Sequence, residues 1–253
     1  MSKVRFIILL VFSFLFFSCE NSKEVFISDS ISDYISLQQG KYITYRIDSL
    51  VFTQNGSNIE VHKYQVKHTV QGETTDNLGR RAFIINRLIR NEAGTSSWAE
   101  NGNYLVIPLS DRIEIIENNL RTVPLRIPFT SGFSWKGNSY LPFAPYKPMF
   151  GMEGAGNDMN KWDFVYTYHG DTTVQNQSYK NVWTVTQSNT TLNIPPTSGT
   201  QYGYKEVARE QYAKNIGLVY KDFQLYDYQG PNADNRTPAY YGFGITMWMI
   251  DHN

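Results

Sequence analysis

The reactive side chains of this sequence are few. There are four histidines, at positions 62, 68, 169 and 252, a single cysteine at 19, and carboxylates scattered along 253 residues. His62 and His68 lie six residues apart in a segment that reads as one strand. Strand rise separates them by roughly 20 Å, too far to share a metal ion. His68 has the same parity as Val66 and Val70, as expected for a hydrogen-bonded histidine in a core. No His-Glu-x-x-His or Gly-x-Ser-x-Gly is present, nor Ser-x-x-Lys with its partner motifs. Gly151-Met152-Glu153-Gly154-Ala155-Gly156 has the composition of a phosphate loop, but a proline-rich stretch precedes it and no helix start follows, so it reads as a flexible loop. Glu153, Asp158 and Asp163 lack the spacing of a calcium loop. The expectation is therefore no metal and no cofactor. A glycosidase pair cannot be judged from spacing, because its carboxylate separation is a three-dimensional quantity.

Aromatic residues give the one positive indication. Trp98, Trp135, Trp162, Trp183 and Trp248 accompany 18 tyrosines. Such rings pack cores, and they also stack on sugars and peptides. The group expected on the surface is Tyr140, Phe143, Tyr146 and Phe150, in a long irregular connection where binding residues concentrate.

The elements that would position these residues read as strands. Ile43, Tyr45, Ile47 and Val51 alternate with polar residues, and Asn55-Gly56 marks a hairpin turn. The return strand starts with Ile59 and Val61 inward and continues with Tyr64, Val66 and Val70 on the other parity, which predicts a bulge near His62 or Lys63. Further strands are expected at 81–89, 104–109, 112–116 and 122–129. The last carries Pro124 and Pro128, which lack the N–H a ladder needs, so it should lie at an edge or be bulged. Beyond the 142–156 connection, strands are expected at 162–168, 179–187, 205–212, 218–228 and 241–249, with a hairpin turn at 213–217 and no long helix. This pattern predicts an all-β fold: an antiparallel sandwich or partly closed barrel of about ten to twelve strands, formed by residues 41–253 as one domain.

The N-terminus is an address. Lys3 and Arg5 precede an apolar run from Phe6 to Phe17, too short to span a bilayer, and Ser18 precedes Cys19. These are the parts of a signal peptide, and Phe16-Phe17-Ser18-Cys19 resembles the lipobox of bacterial lipoproteins. The resemblance implies removal of residues 1–18 and a diacylglyceryl group on the Cys19 sulfur. Two or more acyl chains hold a protein stably at a membrane. Glu20 in place of Asp after the cysteine resembles the outer-membrane pattern, and Glu20-Asn21-Ser22-Lys23-Glu24 is similar to the acidic export signals of Bacteroidota surface lipoproteins. Processing would leave no thiol, and hence neither disulfide nor thiol catalysis. Residues 19–40, polar and serine-rich, read as a lipidated flexible spacer.

A second resemblance lies in Glu210–Lys221, where a tyrosine-alanine pair, a turn and Gly-Leu-Val-Tyr are similar to a hairpin in uncharacterised Bacteroidota lipoproteins. It brings no activity with it. Asp29-Ser30-Ile31, Asp48-Ser49-Leu50 and Asp171-Thr172-Thr173 resemble the O-glycosylation acceptor of that phylum, which marks Ser30, Ser49 and Thr172 as candidates. Without residues 1–18 the chain has 21 basic and 23 acidic side chains, a balance that supplies no footprint for nucleic acid. The function expected is a non-enzymatic, lipid-anchored envelope domain at the outer membrane, facing the periplasm or the surface. It would bind a glycan, peptide or envelope protein, or act as a scaffold. The alternative is a surface hydrolase or lipid carrier whose site leaves no linear signature.

Overall fold

The computed structural model describes residues 29–197, 201–232 and 236–253. The signal peptide, Cys19 and the first part of the expected spacer lie outside them. Twelve antiparallel strands form one sheet: β1 (Tyr42–Thr53), β2 (Asn58–Thr75), β3 (Arg81–Asn91), β4 (Ala99–Pro108), β5 (Arg112–Glu117), β6 (Leu120–Arg126), β7 (Ser134–Trp135), β8 (Phe164–Val174), β9 (Gln177–Leu192), β10 (Gly203–Ala213), β11 (Gly217–Gln229) and β12 (Ala239–His252). Their order, β6-β5-β4-β3-β2-β1-β12-β11-β10-β9-β8-β7, leaves β6 and β7 as the two edges. These edges meet. The Val123 N–H donates to the Gly137 carbonyl at 2.7 Å, and the Trp135 indole donates to the Val123 carbonyl at 2.7 Å. The sheet is thus a nearly closed barrel, and closure removes the edge hazard of an open sheet.

The prolines act as their chemistry requires. β6 is an edge strand, and its pairing with β5 also slips register between Ile113 and Ile115. Opposite it, the Tyr166 hydroxyl donates to the Arg126 carbonyl at 2.8 Å and receives the Arg126 N–H at 3.2 Å.

The expected bulge near His62 and Lys63 is absent. β1 and β2 pair without interruption from Tyr42↔Thr69 to Thr53↔Asn58, and the bulge lies further on, where β2 meets β3 between Val70 and Gly72. Ile59 and Val61 consequently point outward and are about half exposed, at 50% and 51%. The hairpin arms outrun the core, and Ile59 instead lines a shallow outer depression with Leu50, Phe52, Tyr226 and Tyr240. At the hairpin tip, a Cβ on Gly56 would stand 2.3 Å from the Tyr240 carbonyl oxygen, and φ there is +85°. Only glycine fits.

Both barrel ends are filled by chain. At one end residues 29–40, expected as spacer, are part of the fold. Ser30 caps a 3-10 turn, Ile31–Tyr34, in a reciprocal capping box with Asp33. Tyr34 is completely buried against Phe129, at 4.7 Å between ring centroids, and its hydroxyl donates to Asp29 at 2.6 Å. Lys214 holds Asp29 at 2.5 Å and Asp33 at 3.3 Å. At the other end the 141–162 connection, with one short helix α1 (Lys147–Phe150), packs Leu141, Met152 and Met159 beneath Ala208, Phe223 and Leu225.

Candidate functional site

Between the two fillings the barrel keeps a cavity of about 170 Å³. Alternation creates it. Val70, Ile85, Val106, Ile115 and Met247 give it apolar walls, while Ile35 and Leu37 of the N-terminal segment form its roof.

Charged residues also stand on inward positions. Glu210 on β10 and Lys221 on β11 are direct cross-strand partners across the 213–217 turn, with the Lys221 ammonium 2.9 Å from Glu210 Oε1. Glu210 Oε2 accepts from the Tyr212 hydroxyl at 2.6 Å, so both carboxylate oxygens are engaged. Burial acts to lower the Lys221 pKa, but Glu210's charge and hydrogen bond, helped by Glu117, outweigh it and leave it raised. Lys221 lines the cavity, and 33% of its side-chain surface is accessible. Desolvation, with the nearby charge of Glu210, likewise pushes the Tyr212 hydroxyl well above its usual range.

On the facing wall His68 (β2) and Arg87 (β3) are cross-strand partners. His68 Nδ1 lies 3.1 Å from the Tyr104 hydroxyl, and burial, with the charges of Arg87 and Lys221, pushes the imidazole down to about 3. His68 is therefore neutral at physiological pH. It is a half-buried, hydrogen-bonded histidine on the inward parity, and it forms part of the cavity wall. Arg87 pairs with Glu117, and its Nε is buried without an acceptor.

The four-ring platform does not exist as a unit. Tyr140 and Phe143 are exposed, whereas Tyr146 and Phe150 turn inward against Phe243, at 5.3 and 4.5 Å. The apolar inner face of β12 captures these two rings. Nor is the glycine-rich segment a free loop. Its amides cradle an anion from the chain itself: Asp227, fully buried, accepts from the N–H groups of Glu153, Gly154 (3.0 Å) and Ala155 (2.7 Å) and from the Tyr202 hydroxyl (2.8 Å). The Gly156 N–H donates to Glu206 at 2.7 Å. Burial raises the Glu206 pKa, with Asp227 and Asp158 adding to it against the Gly156 bond.

Among the candidate glycosylation sites, Ser30 is exposed, with its hydroxyl 2.8 Å from that of Ser32. Ser49 lies mid-strand on the face opposite Leu50, paired with His62 and Ile245. Thr172 is half-buried beside Asp171, which is tied to Lys180 at 2.5 Å. Among the described residues no three His, Cys, Asp or Glu side chains converge as a metal site, and no helix is long and apolar enough to cross a membrane.

The Glu210–Lys221 pair escaped the motif search although the sequence carries its signal. Counting outward from the 213–217 turn sets Glu210 opposite Tyr220, and a register shift between Gln211 and Tyr212 moves the pairing on by one to Lys221; the sequence signal is the opposite charge that each strand carries among inward apolar residues. The 29–37 filling had one too, in Ser30-x-x-Asp33 followed by Tyr34 and Ile35.

No protein-family model matches the chain, and no curated protein does. Among solved structures it is similar to a proposed exported protein with a YmcC-like fold from Bacteroides fragilis (TM-score 0.37, 11% identity, 87% of this chain and 98% of that one). It is also similar to a proposed lipoprotein from Parabacteroides distasonis (TM-score 0.41, 9% identity, 87% and 98%).

Proposed function

We propose that this protein is a lipid-anchored envelope domain at the outer membrane, held through Cys19, that binds a small ligand in its barrel lumen and does not transform it. The cavity carries this reading. Its walls are apolar with a few convergent polar groups, the composition of ligand pockets in general. Serine- or threonine-based covalent catalysis would need a hydroxyl bonded to a base. Among the described residues no serine or threonine on the wall is hydrogen-bonded to a histidine or carboxylate, and Glu210 is already engaged by Lys221 and Tyr212. This lumen therefore lends no support to a serine- or threonine-based hydrolase site, and the binding reading is preferred. A lipid carrier needs more room, because a cavity of about 150 Å³ takes a benzene-sized molecule. An acyl chain would fit only with the 29–37 roof lifted away.

Mass spectrometry of the protein isolated from its own membranes tests both parts. The expected denatured mass is that of residues 19–253 plus acyl chains, and the native spectrum should carry a small adduct released on unfolding. An unacylated mass would refute the anchor. No adduct, together with no saturable uptake of small apolar probes, would refute the binding.

A further inference from the structure

Hydrogen-bonding capacity in the lumen is lopsided. Glu210 has both oxygens engaged, by Lys221 and Tyr212. Glu117 faces Arg87. On the donor side, an ammonium has three N–H groups, and the one ion-pair partner of Lys221 among the described residues is Glu210. Lys221 lines the cavity and a third of its side-chain surface, 33%, is accessible. His68, being neutral, keeps one ring N–H. Buried donors without acceptors are costly, and a ligand that supplies acceptors relieves the cost.

Building on the lumen-binding reading, we infer that the ligand is a small organic acid, its apolar body filling the space between Val70, Ile85, Val106 and Met247 and its carboxylate accepting from Lys221. Size sets the body. A space of about 170 Å³ compares with the roughly 150 Å³ that accommodates benzene, so one ring or a short branched chain fits with a carboxylate at the Lys221 side. The Glu210 pairing keeps Lys221 protonated and in place, while Tyr212 restrains Glu210 from swinging to compete for the site. Charge-assisted bonds to a carboxylate are roughly twice as strong as neutral ones, so an acid should outbind its neutral analogue.

Four probes that share one ring separate the possibilities: toluene, benzyl alcohol, benzoate and benzylammonium. They are titrated calorimetrically into the full chain in lipid nanodiscs, with empty nanodiscs as background. In parallel, the methyl resonance of Met247, which lines the cavity, reports occupancy. Benzoate is expected to bind at least ten-fold tighter than benzyl alcohol or benzylammonium and to shift the Met247 methyl. The preference should vanish in the double variant Lys221→Met, Glu210→Gln, in which both charges go together and neither is left buried alone. If toluene and benzyl alcohol bind while benzoate gains nothing, the acid assignment falls and the lumen-binding reading stands. A preference for benzylammonium would mean that Glu117 sets the selectivity, and it too overturns the assignment. If no probe moves Met247, both readings fall. The Met247 readout in the unmodified protein decides the matter even if the double variant does not fold.

Discussion

Replacing Asp227 by asparagine should unlatch one end of the barrel. Asp227 Oδ2 accepts from the backbone N–H groups of Glu153 and Gly154, and Oδ1 from the Ala155 N–H and the Tyr202 hydroxyl. Every partner is a donor, apart from the hydroxyl, which can rotate. An amide must turn its NH₂ toward one of the two pairs. On the Oδ1 side the Tyr202 hydroxyl can turn to accept from it but the Ala155 N–H cannot, so two donors, the Ala155 N–H and one amide N–H, are left opposed. A buried group left unsatisfied costs about 1–3 kcal/mol, so two give about 2–6 kcal/mol, and loss of the negative charge weakens the bonds that remain. We expect Asp227→Asn to destabilise by about 3–5 kcal/mol, a large share of a typical 5–15 kcal/mol. Urea unfolding followed by tryptophan fluorescence measures the difference, and hydrogen exchange at residues 153–156 should accelerate. Asp222→Asn is the control. Asp222 is half-buried and accepts a bond from the Gln224 side-chain amide at 3.0 Å, so the change should cost about 1 kcal/mol or less. A loss below about 1 kcal/mol for Asp227→Asn, or unchanged exchange at 153–156, would refute the view that this carboxylate organises the glycine-rich segment.

Tyr34→Ala should cost about 3–5 kcal/mol in the same unfolding assay, as for other large buried side chains, whereas a residue in a spacer would cost nothing measurable. Tyr34→Phe, which loses only the bond to Asp29, should cost about 1 kcal/mol. His68 gives a pH signature. Its folded pKa lies near 3, below the ordinary 6.5. The unfolded chain therefore takes up a proton that the folded chain refuses, and stability falls as pH drops from about 6.5 toward 3. The slope attributable to this group approaches 1.4 kcal/mol per pH unit. Urea unfolding at pH 7, 6 and 5 should show that slope in the wild type and lose it in His68→Gln. Equal slopes would place His68 in contact with water.

The strand framework was legible because alternation is a local signal. Tyr241, Phe243, Ile245, Met247 and Met249 share a parity, and all five pack into the interior. The hairpin at 213–217 and the edge position of the proline-bearing β6 could likewise be read from turn and proline chemistry. Burial that depends on distant chain could not. Ile59 and Val61 alternate like core residues but extend past the end of the core. Tyr146 and Phe150 look like exposed loop aromatics until β12 supplies a surface to cover them. β7 is two residues long, too short to show a period. The glycine-rich segment reads from sequence as a flexible loop, because the anion its amides cradle comes from residue 227, more than seventy positions downstream, where no linear motif could register it.

The position of the N-terminal filling has a geometric consequence. Asp29, the first described residue, is ten peptide steps from Cys19, and a fully stretched chain covers at most about 3.6 Å per step. Acylation of Cys19, as proposed, would hold Asp29 and the roofed end of the barrel within roughly 36 Å of the lipid surface. Tension on such a leash would be felt first by Tyr34 and the Lys214 contacts, so under the proposed anchoring the residues that roof the cavity would also bear the pull of the membrane.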